Sequence, residues 1–182
     1  LRENLDGILS DKRLTDAIDQ LGTKTGRDTI LSRILSQADN YDYVICDCAP
    51  GLNQLNINVL FFVDEIICPV DMDLWALDGV QGLIEKMDEI NEITSVGGKT
   101  IKINHVIPTK YDRRNLNSSD MIAALNKFFP GIVTTPIRIN VRFSESHNAR
   151  QTIFEYESGI KDRKGTDDYM DIVNQLEGKL DG

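Results

Sequence analysis

The spacing of apolar positions along the chain changes repeatedly, and each change marks an element. Leu14, Ala17, Ile18 and Leu21 recur at helical spacing, as do Ile30, Ile34 and Leu35, with Gly22 and Gly26 punctuating them. Upstream, "NLDGILS" reads as a weak strand. "YDYVICD" (41–47) is a continuous apolar run of the kind buried on both faces of a parallel sheet, and "EIICPV" and "TIKINHVIP" are two more. Between them the pattern predicts a helix over 53–62 and a longer one over about 74–93, where Leu74, Leu77, Val80, Leu83, Ile84 and Met87 recur at helical spacing. A helix over 118–129, a short strand over 132–137, an irregular stretch over 138–164 and a last helix over 166–180 follow.

Strands that alternate with helices imply βαβ units and a parallel sheet. With 182 residues, 41% of them hydrophobic, one substantial core is expected. The formal charge of −9 argues against a protein that coats nucleic acid with its whole surface, so any such contact must be local. Cys46, Cys48 and Cys68 show no paired CxxC spacing and read as buried free thiols in a reducing compartment. No apolar run approaches the roughly 18 residues that span a bilayer, and the opening residues lack a signal peptide's regions, so a cytoplasmic location is expected. His105 lies in a strand and His147 in a polar loop, neither at metal-ligand spacing, and Trp75 is expected to pack.

The chemistry begins at Asp47. In doubly wound sheets, ligands sit beyond the carboxyl ends of the strands. Tyr43, Val44, Ile45 and Cys46 lead into Asp47, the form of a strand whose terminal aspartate orients Mg²⁺ in nucleoside triphosphatases, with Pro50 and Gly51 making the loop that follows. The same residues also suit an aspartate that merely caps the turn into the next helix.

The wider pattern resembles one family. "YDYVICDCAPGLNQLNINVL", followed by "VDEIICPVDMDLWALDGVQGLIEKM", is similar to the core of ParA/Soj-type partition ATPases, the deviant-Walker relatives of MinD. Asp47, Cys48, Pro50, Asn58, Pro69, Val70, Ala76, Leu77 and Gly79 stand in register with it. "IPTKYDRRNLNSSDMIAALNKFF" and "TPIRINVRFSESHNARQTIFEYESGIKDRKG" continue the likeness, and "ENLDGILSDKRLTDAIDQL" begins it. The family's phosphate-binding loop, Lys-Gly-Gly-x-Gly-Lys-Thr, does not occur. "SVGGKT" (95–100) imitates it, but Ile93 and Thr94 stand where the loop needs its glycine and signature lysine. It also leads from helix to strand, the reverse of the required order.

The resemblance implies an α/β fold with a three-layer, doubly wound, mostly parallel sheet of P-loop NTPase type, its amino-terminal part absent, so that 1–182 form one incomplete nucleotide-binding domain. It implies Asp47 as the Walker B carboxylate, holding Mg²⁺ through water, and Asp47, Pro50, Gly51 and Asn58 as the nucleotide switch. Thr109, Lys110 and Asn140 fall on the base side, and Arg113, Arg114, Arg138 and Arg142 on a DNA-binding surface. The cofactors implied are ATP and Mg²⁺, available only with the missing loop, so the chain alone should not hydrolyse ATP. The partners implied are a second copy on ATP binding, nonspecific DNA and a ParB-like centromere-binding adaptor, in a nucleoid-associated cytoplasmic protein.

Some residues depart from the family. Ala49 replaces the first proline of the switch, Arg138-Ile139-Asn140 replaces Pro-Arg-Asn, and Asn56 stands where threonine is common. The last helix separates two branches. Opposite its stripe of Tyr169, Ile172, Val173, Leu176 and Leu180 it carries Asp167, Asp168, Asp171 and Glu177, the wrong sign for an anionic membrane. DNA is therefore expected and no membrane, with the helix packed on the sheet. Two alternatives stand beside partition: a non-catalytic ParA-like interaction module and a MinD-like positioning ATPase.

Overall fold

The computed structural model describes residues 4–11, 13–14, 20, 25–36, 40–49, 53–72, 76–94 and 100–180. In chain order they form a 3₁₀ turn Arg27–Thr29, helix α1 (Ile30–Leu35), α2 (Gln54–Phe62), strand β1 (Ile66–Asp71), α3 (Ala76–Thr94), β2 (Ile103–Thr109), α4 (Leu116–Phe128), α5 (Val141–Asn148), α6 (Ile153–Tyr156) and α7 (Lys164–Leu180). They divide into two compact units, Leu1–Asp64 with Lys86–Thr100, and Glu65–Glu85 with Ile101–Gly182. Among the described residues no helix is long and apolar enough to cross a membrane.

In the first unit, α2 starts where Asn53 takes the Leu55 and Asn56 amides on its side chain, satisfying donors that a helix start leaves open. Gly26, at φ 70°, turns the chain into the 3₁₀ turn that runs on into α1. Two expected strands are absent among the described residues. Residues 43–49 carry no regular structure and pair with no described strand, with Tyr43 72% and Ile45 90% exposed, and the same holds of 5–11, where Ile8 and Leu9 are each 91% exposed. A strand exists only through a hydrogen-bonded neighbour, and no described residue supplies one to either segment. The thiols change accordingly: Cys48 is exposed and Cys46 half-buried, so only Cys68, on β1, is buried. The helix expected over 14–21 lies mostly outside the described residues, as do Pro50, Gly51, Trp75 and residues 95–99.

In the second unit, β1 and β2 pair in parallel, from Ile66 with Ile103 to Asp71 with Thr109. Residues 132–139 run beside β2 in the same direction: Val106 donates to Ile132 O, Thr134 to Val106 O, Ile137 to Pro108 O, and Tyr111 to Ile137 O. Only two isolated bridges result, Val106 with Val133 and Tyr111 with Arg138, so the strand expected at 132–137 is broken. Pro108 and Pro136 have no N–H, which interrupts the ladder. Over this sheet Ile107, Ile137 and Ile172 form a buried cluster with Phe143 and Leu176, so α7 packs on β2 as expected.

The stretch 138–164 is not irregular. It holds α5 and α6, each too short for a periodic apolar signal and each set by its cap. Asn140 accepts the Arg142 amide, and Thr152 and Glu155 close a capping box. His147 therefore lies in the last turn of α5 rather than in a loop. Asp168, expected on the solvated face of α7, is buried.

Candidate functional site

The carboxyl ends of β1 and β2 carry a polar constellation built by their register. Asp71 and Thr109 are direct neighbours, and Thr109 Oγ1 donates to Asp71 Oδ1 at 2.6 Å. The Lys110 ammonium bonds the other carboxylate oxygen. Lys110 has φ 56°, a left-handed conformation that side chains rarely adopt, and it turns the chain off the strand directly over Asp71. The Lys110 and Thr109 bonds hold the Asp71 carboxyl below its ordinary range. Thr109 and Lys110 are residues that the resemblance puts on the base side of a nucleotide; Asp71 was not among the expected residues, because no local pattern marks it and the pairing of two strands brings it in.

Beyond Lys110, Ile139 N donates to Tyr111 O at 3.0 Å. This lacing brings the loop 110–114 and the segment 138–142 together. Arg114 is 90% exposed at its side chain and folds back on Asp112, its Nε and Nη2 donating to the two carboxylate oxygens at 3.1 and 2.9 Å. Arg113 is exposed, with no ion pair among the described residues.

Arg138 and Arg142 are held differently. Arg138 Nη2 and Nε donate to Asp168 Oδ1 at 2.5 and 2.9 Å, and the Arg138 amide donates to Oδ2 at 3.0 Å. Arg142 Nη1 donates to Glu157 Oε1 at 3.2 Å and also bonds the Asp162 carbonyl. Glu157 is fully buried and also accepts the Gly165 and Thr166 amides, at 3.3 and 2.7 Å, so it caps α7 from outside the helix. Burial by itself would raise its pKa; the Thr166 amide and hydroxyl, Arg142 and the Gly165 amide together outweigh it and hold the carboxyl below the usual range. Glu157 was not found from sequence, because a carboxylate in "EYESG" looks like any exposed loop acid. Asn140 spends its side-chain oxygen as the cap of α5.

In the first unit, Asp47 is exposed and makes no hydrogen bond among the described residues. Asn58 is buried with both ends committed: Oδ1 accepts the Leu31 amide at 3.2 Å, and Nδ2 donates to the Arg27 and Gln54 carbonyls at 2.7 and 2.9 Å.

Comparison with known proteins gives the following likenesses. The AAA domain family model matches residues 1–103. Sporulation initiation inhibitor protein Soj of Bacillus subtilis is 30% identical over 176 residues, covering 96% of this chain and 67% of Soj. Among solved structures, cobyrinic acid a,c-diamide synthase of Mycobacterium smegmatis, with bound ADP and magnesium, matches at TM-score 0.61 and 26% identity, over 81% of this chain and 61% of the other. Apo McdA of Cyanothece matches at TM-score 0.69 and 20% identity, over 90% and 66%, a likeness of fold alone. The chain spans about half the length of the uncharacterised Mycobacterium tuberculosis and Pseudomonas putida relatives it matches.

Proposed function

Because the chain belongs to the AAA domain family, in its ParA/Soj-type branch with a P-loop NTPase-like α/β fold, we propose that it serves DNA partitioning within an ATP-dependent protein. That protein pairs with a second copy on binding ATP, binds DNA without sequence preference, and answers to a ParB-like centromere-binding adaptor at the nucleoid. The observation that carries this reading is the Tyr111–Arg138 bridge, which gathers Arg113, Arg114, Arg138 and Arg142 from two distant segments. In a chain of net charge −9, an edge that brings four arginines together, three of them paired with a carboxylate, is where a polyanion can be met.

The four arginines divide the task. Arg113 and Arg114 lie exposed and reach phosphates directly, Arg114 by exchanging Asp112 for the ligand. Arg138 and Arg142 are fixed by buried carboxylates and present only the N–H groups those bonds leave over. A few phosphate contacts per copy are weak and salt-sensitive, and pairing two copies doubles them, so DNA binding follows the nucleotide state.

Asp47 fits a magnesium ligand, being an exposed carboxylate with no hydrogen bond among the described residues. The chemistry the ion supplies when bound is neutralisation of phosphate charge. Asn58, with its polar atoms committed, serves the switch formed with Pro50 and Gly51 by fastening α2 to the 3₁₀ turn. Thr109, Lys110 and Asn140 take the base side, at the strand ends where this fold class receives ligands. The 182 residues hold no Lys-Gly-Gly-x-Gly-Lys-Thr loop, so on this reading ATP binding requires such a loop beside Asp47.

Two titrations of the whole protein with its natural amino terminus test this. Fluorescent ATP should bind, and duplex DNA of random sequence should bind with a steep salt dependence. Arg113→Ala with Arg114→Ala should reduce the log–log salt slope by about 1.8, from about 0.9 per phosphate lost. An unchanged slope sinks the assignment of those arginines. Failure to bind ATP leaves the non-catalytic module, and sedimentation with anionic vesicles in place of DNA leaves the positioning ATPase.

A further inference from the structure

A cleft of about 340 Å³ opens between the start of α5 and the residues leading into α7, lined by Arg138, Asn140, Arg142, Asp162 and Lys164 among others. Its volume holds a phosphate group together with several waters, each of about 30 Å³ in the liquid. Three cations line it with one exposed carboxylate, and two of them, Arg138 and Arg142, are each paired with a buried carboxylate, Asp168 and Glu157. Among the described residues Arg142 spends Nη1 alone, on Glu157 and the Asp162 carbonyl, leaving Nε and Nη2. Lys164 Nζ stands 3.2 Å from Asp162 Oδ2, and both side chains are 58% exposed, so this ion pair is weak and opens readily. The Arg142 pair is of another kind, because its carboxylate is fully buried and bound to two backbone amides.

We propose that this cleft seats one backbone phosphate of DNA between Arg142 and Lys164, with Asp162 as the anion it displaces and Glu157 as the residue that positions Arg142. The inference rests on the DNA reading above and adds Lys164, Asp162 and Glu157 to it. A guanidinium already fixed by a buried partner loses little freedom when it meets a ligand, and its planar fork suits phosphate oxygens. Asp162 leaves Lys164 when the phosphate enters, so the seat exchanges one weak, exposed ion pair for contacts from Arg142 and Lys164 to one phosphodiester. Arg138, held by buried Asp168, contributes its charge to the same cleft.

The test is the salt dependence of random-sequence duplex binding by the whole protein and its variants. Lys164→Ala should lower affinity and reduce the slope by about 0.9, which over about 50 to 200 mM salt makes its affinity fall about 3.5-fold less than the wild type's. Asp162→Asn should tighten binding, a gain that misfolding cannot imitate. The positioning role of Glu157 is read in a double-mutant cycle, where Glu157→Gln should weaken DNA binding in the wild-type background and add nothing to Arg142→Ala. DNA binding with an unmoved slope for Lys164→Ala and no gain for Asp162→Asn overturns this seat alone. Absence of any DNA binding by the wild type overturns the seat and the DNA reading together. Loss of phosphatidylglycerol-vesicle binding in Lys164→Ala with DNA binding unmoved assigns the seat to a lipid headgroup and overturns it as well.

Discussion

Glu157→Gln is the substitution from which the fold should suffer most for the smallest change in shape. The carboxylate accepts the Thr166 amide on one oxygen, and the Gly165 amide and Arg142 on the other. An amide has one acceptor oxygen, so its NH₂ must face an N–H donor at one of these places. Losing one charge-assisted bond costs about 1.5–3 kcal/mol, and stranding a buried arginine costs about 3–5 kcal/mol. Arg142 keeps the Asp162 carbonyl and is 26% exposed at its side chain, which pulls the sum down to about 3–4 kcal/mol. At about 2–4 °C per kcal/mol for a chain of this size, the midpoint of thermal unfolding should fall by about 6–16 °C at neutral pH. The folded-state pKa of Glu157 is depressed, so the stability it contributes is present above the ordinary glutamate value of about 4.3 and is lost as pH falls through the lower folded value. Thermal melts followed by circular dichroism should therefore show the gap between wild type and variant closing in acid. A variant within about 1 kcal/mol of wild type at neutral pH, or a gap that widens on acidification, refutes the assignment of Glu157 as the clasp.

Three further outcomes are expected. A Cβ at Gly165 would lie 2.7 and 2.9 Å from Ile153 Cγ1 and Cδ1 and 3.1 Å from Phe143 Cε1, so Gly165→Ala should cost about 1–3 kcal/mol by overpacking; denaturant melts of a double-mutant cycle should show Ile153→Ala recovering part of that loss, and strict additivity counts against the clash. Asn58→Ala removes the acceptor of the Leu31 amide and one donor to each of the Arg27 and Gln54 carbonyls, for a loss of about 1–3 kcal/mol; hydrogen exchange at the Leu31 amide should quicken, and an unchanged rate counts against the clamp. Thr152→Ala opens the capping box of α6 and should cost about 1 kcal/mol in chemical denaturation, whereas Thr152→Ser should cost little.

What the sequence determined by itself were the elements whose information is local. The helix over 53–62 emerges as α2 because a capping asparagine and a dense apolar run both lie within it, and α3, α4 and α7 follow from helical periodicity over a dozen residues or more. "EIICPV" and "TIKINHVIP" form strands because each is the other's partner and neither depends on a segment beyond the described residues. The family was legible for a related reason: its signature is a set of residue types in fixed order, such as Asp47, Pro69, Asn140 and Arg142, and order survives without coordinates. Tertiary structure decided the rest. "YDYVICD" carries the composition of a buried strand, yet pairing is a relation between two segments, and in the described residues it has no second segment. The short helices of 138–164 depend on caps, which a periodicity reading passes over. Arg138 and Arg142 read as free surface cations from sequence, whereas packing sets each against a carboxylate that lies 15 or 30 residues away. A charge pattern along the chain records which ions are present; only the folded geometry decides which of them are already spent on one another, because ion pairing falls off with distance in space and is indifferent to separation in sequence.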